Sequence, residues 1–174
     1  MEADVKRSTD KQQVIPFFDP SKESFLEYDV TRLVYLLSDA PRKKIGVMTW
    51  LPLEGMEMNP MGGRGVPPWQ IFTQMKELFD VQTIENSAAK IPDDINVLMV
   101  VHPKGMSTQT QYAVDQFVLR GGRLMLFVDP NCEQDIPPGI NPMQAMQIPK
   151  NSELPALLAA WGVEMVPGKI AGDR

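Results

Sequence analysis

The sequence predicts an α/β domain with a doubly wound, mainly parallel sheet between two layers of helices. The main observation is a strand, helix, strand pattern between Ile95 and Asp129, where a helical segment separates two short apolar runs. A helix that joins two buried strands makes a right-handed crossover, so those strands must be parallel. Earlier apolar runs alternate with helical patterns in the same way, which is typical of doubly wound sheets.

The first part of the chain predicts one helix after a charged terminus. We expect residues 1–11 to be loose and residues 12–18 to be extended. Asp19 is the predicted N-cap and Pro20 the first helical residue, where its missing N–H costs nothing. Apolar residues at helical spacing then continue to about Leu37.

Four stretches have the composition of sheet strands. The second is short and expected near the edge of the sheet, whereas the last two are continuous apolar runs expected to be buried on both faces. The four predicted strands are residues 43–51, 81–85, 95–101 and 123–128.

Two predicted helices connect these strands. Residues 68–79 have the apolar spacing of an amphipathic helix. Thr108 and Gln111 have the spacing of a capping box, which begins the next helix. Gly121 or Gly122 can adopt the left-handed conformation that ends it.

The last predicted helix runs from Leu154 to Trp161. Asn151 or Ser152 is its expected N-cap, and Gly162 closes it. Residues 163–174 have the pattern of a strand and the start of another, so we expect the chain to be a fragment of a longer protein.

Length, charge and composition limit the functions that this chain can have. Length predicts a single domain over residues 12–174. The net charge is −5, and no basic cluster is present to bind a phosphate backbone, so a nucleic acid partner is disfavoured. The single cysteine excludes an intrachain disulfide. No run approaches the roughly eighteen apolar residues of a membrane-spanning helix.

Two long stretches without periodicity follow predicted strands, residues 52–67 and 129–150. Loops of this length are uncommon in compact domains unless they are functional or mobile. Both leave the carboxyl edge of the sheet, where parallel α/β folds bind their ligands. The candidate ligand or partner contacts at this edge are Glu54, Gly62, Gly63, Arg64, Gly65, His102, Asp129 and Cys132.

The segment from Gly62 to Gly65 offers one possible chemistry. Its backbone N–H groups and the Arg64 guanidinium could hold an anion, although it matches neither a P-loop nor a dinucleotide fingerprint. The alternative is a partner-contacting loop, because the nearby methionines form an adaptable apolar surface.

His102 and Cys132 follow the ends of two strands and could pair as base and nucleophile. However, Asp129, Glu133 and Asp135 surround the cysteine in sequence, and their negative charges disfavour a thiolate. These carboxylates could instead hold a hard cation, or Asp129 before a proline could be a turn residue. No catalytic motif is present, so no catalytic residue, metal or cofactor is assigned.

Five segments resemble the extracytoplasmic domain of gliding-motility-type (Gld-like) auxiliary components of ABC transporters. The resemblance covers residues 12–173, and its most specific part is Phe25-Leu-Glu-Tyr-Asp29. The segments are Ile15-Pro-Phe-Phe18 with Phe25 to Tyr35, Lys44-Ile-Gly-Val-Met48, Asn96 to Pro103, Gln116 to Pro130, and Leu157-Leu-Ala-Ala-Trp-Gly-Val163.

The resemblance implies a fold similar to class I glutamine amidotransferases, or flavodoxin-like. In those amidotransferases the nucleophilic cysteine sits just after a central strand. The corresponding stretch, Val101-His-Pro-Lys-Gly105, holds none. The resemblance therefore transfers no catalytic residue to this chain.

The resemblance also implies a cellular location and a set of partner proteins. Proteins of this kind have transmembrane helices flanking the soluble part and act beside an ABC ATPase and permease, on the periplasmic side of the inner membrane. The function expected is a non-catalytic interaction or substrate-sensing domain of a transport system. The alternatives are a hydrolase or transferase that uses His102, Asp129 and Cys132, or a small-ligand-binding domain at the same sheet edge.

Overall fold

The computed structural model describes residues 3–6, 12–15, 20–38, 41–56, 65–136, 140, 142–166 and 169. The chain forms two compact units, Met1–Arg42 and Lys43–Arg174. No helix among the described residues is long and apolar enough to cross a membrane.

The first unit contains a hairpin and a helix. Strand β1 (Ala3–Lys6), within the stretch expected to be loose, pairs antiparallel with β2 (Gln12–Ile15). The predicted helix begins as a 3-10 helix over Pro20–Phe25 and continues as α1 (Leu26–Leu37). Tight 3-10 turns are common at helix starts. Asp19, the predicted N-cap, lies outside the described residues.

The second unit contains the predicted parallel sheet. The four strands among its described residues stand in the order β4, β3, β5, β6, and every pair is parallel, which confirms the predicted α/β class. The elements are β3 (Lys44–Thr49), α2 (Gln70–Leu78), β4 (Asp80–Thr83), β5 (Val97–Val101), α3 (Thr108–Leu119), β6 (Arg123–Phe127), α4 (Pro142–Ala145) and α5 (Pro155–Ala160).

The core consists of two apolar clusters, one on each face of this sheet. Helix α2 packs on one face through Phe72, which is 1% exposed. Helices α3 and α5 pack on the other, where the Trp161 indole N–H also donates to Asp115 Oδ1 over 2.9 Å. The first cluster holds Ile45, Val47, Leu51, Leu53, Phe72 and Cys132, and the second includes Met48, Leu98, Val100, Phe117 and Leu157.

The strand order places a topological switch point between β3 and β5. The chain leaves β3 through α2 to reach β4 on one side, and it then returns to form β5 on the other side of β3. At such a point the connecting segments diverge and leave a crevice at the carboxyl ends of the two strands. The residues that follow Thr49 and Val101 therefore border the expected ligand edge.

Strand β6 corrects one prediction. It was expected to be buried on both faces, but it is an edge strand whose side chains alternate in exposure. Leu124 and Leu126 pack against the α3 and α5 face, while Met125 and Phe127 are about half exposed on the other. The apolar run alone could not reveal this, because it does not show which helices cover each strand. β4 lies at the other edge, as predicted.

The start of α3 differs slightly from the capping box. Ser107 is the N-cap, and its Oγ accepts the backbone N–H of Thr110 over 3.1 Å. The Gln111 side chain instead donates to the carbonyl oxygen of Met106. The predicted end is correct, since Gly121 adopts φ +93°.

Helix α5 begins later than predicted. Pro155 is its first residue, and neither Asn151 nor Ser152 caps it. Proline suits this position because the first helical N–H needs no partner within the helix. The Asn151 side chain donates to Glu153, and Ser152 is engaged elsewhere. Gly162 closes the helix region with φ +73°, as predicted.

Candidate functional site

The turn after the central strand β5, residues 101–105, is the centre of the candidate site, and we call it the β5 elbow. His102 there has φ +48° and is the one non-glycine residue with positive φ in the described part of the chain. Its backbone N–H donates to the carbonyl oxygen of Phe127 over 2.8 Å. Residues other than glycine rarely adopt this backbone conformation, because it is strained when a Cβ is present. The strain persists only where neighbouring contacts hold the residue in place.

The contact that holds His102 is a buried hydrogen bond to Asp135. Its Nε2 lies 3.2 Å from Oδ2 of Asp135, and the side chains are 2% and 3% exposed. The Lys104 ammonium pairs with the same carboxylate oxygen and also donates to the Pro149 carbonyl oxygen over 2.6 Å. The elbow thus supplies two partners to Asp135 and ties down the stretch of residues 129–150.

The charge state of Asp135 follows from these contacts. Burial alone would raise the pKa of the carboxyl group, but the hydrogen bonds from Lys104 and His102 outweigh burial and hold the pKa below its ordinary value. The carboxylate is therefore ionised at neutral pH and accepts a hydrogen bond from His102 Nε2.

His102 Nδ1 is buried and has no hydrogen-bond partner among the described residues. A carboxylate that orients an imidazole resembles half of a general-base arrangement. Here the other nitrogen faces the interior, so the pair in this conformation fixes the elbow and the loop rather than offering a base to a substrate.

Cys132 lies in a different environment. Its side chain is 7% exposed and belongs to the apolar cluster with Phe72 on the α2 face. Its backbone N–H donates to the Lys150 carbonyl oxygen over 2.8 Å. The base and nucleophile pairing with His102 is not formed, since Asp135 is bonded to one ring nitrogen of that histidine and the other has no partner.

Asp129 is a turn residue. Its Oδ1 accepts the backbone N–H of Asn131 over 2.8 Å, which is the hydrogen bond of an Asx turn. Its own N–H donates to Ser152 Oγ over 3.0 Å, and the Ser152 N–H donates back to the Asp129 carbonyl oxygen over 2.8 Å. These bonds join the start of the loop to the segment before α5.

Glu54 belongs to the β3 and β4 side of the edge. It accepts a hydrogen bond from the Thr83 hydroxyl at the end of β4. Nearby, the Asn86 amide donates to the Thr49 carbonyl oxygen over 2.9 Å, which leaves its own Oδ1 buried without a partner in the described structure. Glu54 thereby attaches the first loop to the end of β4, and Asn86 attaches the segment after β4 to the end of β3.

The base of the loop at residues 52–67 is closed by an antiparallel bridge. The N–H of Met56 donates to Val66 and the N–H of Val66 donates to Met56, over 2.8 and 2.9 Å. Gly65 precedes this bridge. Gly62, Gly63 and Arg64 lie outside the described residues, so the anion-binding alternative is an expectation from sequence alone.

The described residues contain no group of three or more His, Cys, Asp or Glu side chains placed to hold a metal ion. They do form a cavity of about 590 Å³ beyond β6, which the sequence did not predict. Its walls are mostly apolar and include Pro130, Leu154, Leu158, Met165 and Val166.

Sequence reasoning missed the residues that organise the edge. Asp135 was considered only as a neighbour of Cys132, and Lys104 and Ser152 were given no such role. One signal was available: His102 and Lys104 flank a proline directly after the central strand, and a partly buried ammonium at that position needs an acid from a loop that returns to the same edge.

A family model described as an ABC-type uncharacterized transport system matches residues 42–174. Searches of curated proteins and of solved structures gave no significant match. The matched stretch is well over half of the chain and includes the whole four-stranded sheet with its elbow. The chain therefore belongs to the family of auxiliary components of an uncharacterised ABC-type transport system.

Proposed function

We propose that this domain is a non-catalytic interaction or substrate-sensing part of the transport system and acts through the carboxyl edge of its sheet. The observation that carries the proposal is the β5 elbow. There His102 is locked by Asp135 instead of presenting a reactive group to solvent. Family membership supports the transport setting.

The elbow argues against amidotransferase-type chemistry. In the enzymes that the fold resembles, the residue just after the central strand is a nucleophilic cysteine exposed to substrate. This chain has His102 at that position, 2% exposed, and its one cysteine is packed in the apolar cluster of the other loop. A reaction at this edge would first require the buried contact between His102 and Asp135 to open.

The two loops are the proposed contact surfaces. Hydrogen bonds fix the described ends of both: Glu54 and the Met56 bridge hold the first, and Asp135 and Asp129 hold the second. A loop anchored in this way loses less conformational entropy on binding than a free one. The edge is thus suited to recognising a protein partner or a transported solute.

The finer assignment rests on the resemblance of the quoted segments. From this resemblance we propose that the domain contacts the permease and ATPase subunits on the periplasmic side of the membrane. We also propose that membrane segments outside this chain anchor it, and that the system is related to gliding motility. The test is affinity purification of the natural protein from solubilised membranes, followed by identification of the proteins that accompany it. Recovery with a permease and an ATPase supports the proposal, and recovery alone from a soluble fraction contradicts it.

The catalytic alternative is tested by variants in the same system. Cys132→Ser and His102→Ala remove the groups that a hydrolase or transferase would need, whereas the proposal requires neither for chemistry. If a variant assembled normally with its partners and still lost transport, the non-catalytic proposal would be wrong. Circular dichroism and partner recovery separate this outcome from misfolding.

The cavity beyond β6 supports a second candidate function, the binding of a small and largely apolar molecule. Thermal denaturation against a compound panel tests it. A ligand at one hundred times its dissociation constant stabilises the folded state by about 2.7 kcal/mol. Ala159→Lys should abolish such a shift, because it places a charge in the cavity wall at an exposed position and leaves the core cluster intact.

A further inference from the structure

The second unit has another cavity at the amino edge of its sheet, where the parallel strands begin. Its volume is about 470 Å³, and its lining residues all belong to this unit. The amino edge is opposite to the carboxyl edge on which the proposed function rests. Pockets for small organic ligands typically measure about 300–1,000 Å³, so this cavity has room for more than a single ion.

The charged residues that line this cavity are mostly cations. Lys43 lies just before β3, Arg120 follows α3 and Arg123 begins β6, so the cluster forms only in the folded chain. Asp93, the acid among the lining residues, is already paired. Its carboxylate contacts the Lys90 ammonium over 2.6 Å and the Arg120 guanidinium over 3.0 Å. The cavity is therefore positive in a chain whose net charge is −5.

The strand register brings two of these cations to one face of the sheet. Val97 of β5 pairs with Arg123 of β6 on one side and with Ile45 of β3 on the other. Lys43 precedes Ile45 by two residues, and residues two apart in an extended chain share a face. Strands β3 and β6 are two strand spacings apart, about 10 Å, which two long side chains can span around one anion.

Lys43 and Arg123 have no acidic partner within the described part of the chain, and both side chains are exposed. Lys44, by contrast, pairs with Asp94. A single exposed cation needs no partner, because water solvates it. Two unpaired cations at one cavity, however, form a field that is complementary to a dianion.

Arg120 is held in place at the cavity wall by its neighbours. Its Nη2 donates to the carbonyl oxygens of Ile91 and Pro92 over 2.8 and 3.2 Å, and its Nη1 lies 3.0 Å from Asp93 Oδ1. The guanidinium also lies over the Phe117 ring, 5.3 Å from the ring centroid. A charge that is already fixed loses little conformational entropy when a ligand binds.

We propose that this cavity binds the phosphate monoester group of a small organic molecule. Such a group carries about −1.5 to −2 charges at neutral pH, and its oxygens match the planar fork of a guanidinium. The apolar residues Ile95, Val97 and Phe117 line the same cavity and suit the organic part of the ligand. A soluble phosphate ester and an anionic lipid headgroup both present this group. The site is separate from the carboxyl edge and goes beyond the proposed function.

The test uses one probe for each source on the 174-residue chain. Isothermal titration calorimetry with glycerol 3-phosphate tests the soluble ester. Sedimentation with phosphatidylcholine vesicles that contain phosphatidic acid tests the lipid headgroup. Saturable binding to the first probe supports a soluble ligand, and binding to the second alone supports a lipid.

The variants show whether the named cations hold the probe. Lys43→Gln and Arg123→Gln should each weaken binding about tenfold, because each removes hydrogen bonds between charged groups. Lys76→Gln is the matched control, since it removes an exposed cation from α2 that does not line the cavity. It should change the affinity by less than about twofold, because salt screens distant surface charges. All three positions are exposed, so the fold should persist, which circular dichroism checks.

Three results would overturn the inference. The first is the absence of saturable binding to both probes. The second is an equal loss of affinity in Lys76→Gln and Lys43→Gln, which would mean general attraction to charge and not a defined site. The third is binding of glycerol as tight as that of glycerol 3-phosphate, which would mean that the phosphate group is not recognised.

Discussion

The imidazole Nε2 of His102 lies 3.2 Å from Oδ2 of Asp135, and both side chains are almost completely buried. One residue ends the central strand and the other belongs to the loop after β6. This pair, with Lys104, attaches the segment after β6 to the turn after β5 at Asp135 and Pro149.

Removing the carboxylate should destabilise the second unit. Asp135→Ala leaves the buried His102 and the Lys104 ammonium without their partner, and breaking a buried pair in this way typically costs about 3–5 kcal/mol. Urea denaturation measures the change in free energy of unfolding. Glu133→Ala removes an exposed acid two residues away and should change that free energy by less than about 0.5 kcal/mol. Similar losses in the two variants would show that the pair is unimportant.

Stability should fall in acid partly through Asp135. Its pKa in the folded protein lies below its ordinary value of 3.8. The stabilisation is therefore fully present above that value and is lost as the pH falls through the folded pKa. Asp135→Asn cannot ionise, so its deficit against the wild type should be large at neutral pH and shrink in acid. A deficit independent of pH would contradict this assignment. Hydrogen bonds from Lys90 and Lys44 also lower the pKa values of Asp93 and Asp94. Both carboxylates are present in the wild type and in Asp135→Asn, so they do not contribute to the difference between the two proteins.

The base of the first loop depends on Gly55. Both Gly55 and Gly105 have positive φ, but a Cβ at Gly55 would meet the Val66 carbonyl oxygen and lie 2.8 Å from the Pro68 nitrogen, whereas Gly105 has open space. Gly55→Ala should therefore lower the free energy of unfolding by at least about 1 kcal/mol more than Gly105→Ala does. Thermal unfolding of the two variants gives the comparison, and equal losses would show that the bridge at Met56 tolerates a side chain.

The Cys132 thiol should be inert in the native protein. It is buried in the apolar cluster of the α2 face, and a thiol reagent reaches it only when that cluster opens. Labelling should be slow in buffer and fast in denaturant. Cys132→Ser places a hydroxyl in the same environment and should cost about 1–3 kcal/mol without preventing assembly. Rapid native labelling would reopen the nucleophile hypothesis.

The sheet could be predicted from sequence because three of its four described strands are short apolar runs between clear turn residues. The run Ile95 to Val101 and the glycine at Gly121 place β5 and the end of α3 almost where they lie. The sequence signals for the helix caps are weaker than those for the strands. Ser107 and Thr108 are both good N-caps, and only the observed bond to Thr110 distinguishes them.

The position of the candidate edge could be predicted from sequence, but the contacts between its residues could not. Parallel strands place their carboxyl ends together, so His102, Asp129 and Glu54 were expected at one edge. The pairing of His102 with Asp135 depends on how a loop of more than twenty residues folds back, and no periodicity encodes that path. Exposure of β6 likewise depends on which face the helices cover, and this is a property of the whole fold.

The most direct test of the central claim is recovery of the natural protein, by affinity purification from solubilised membranes, in its wild-type form and as Gly55→Ala and Gly105→Ala. The account predicts that the wild type and Gly105→Ala bring an ABC permease and ATPase with them, and that Gly55→Ala, which distorts the base of the first loop, recovers less of both. Recovery of the wild type alone from a soluble fraction would contradict the account.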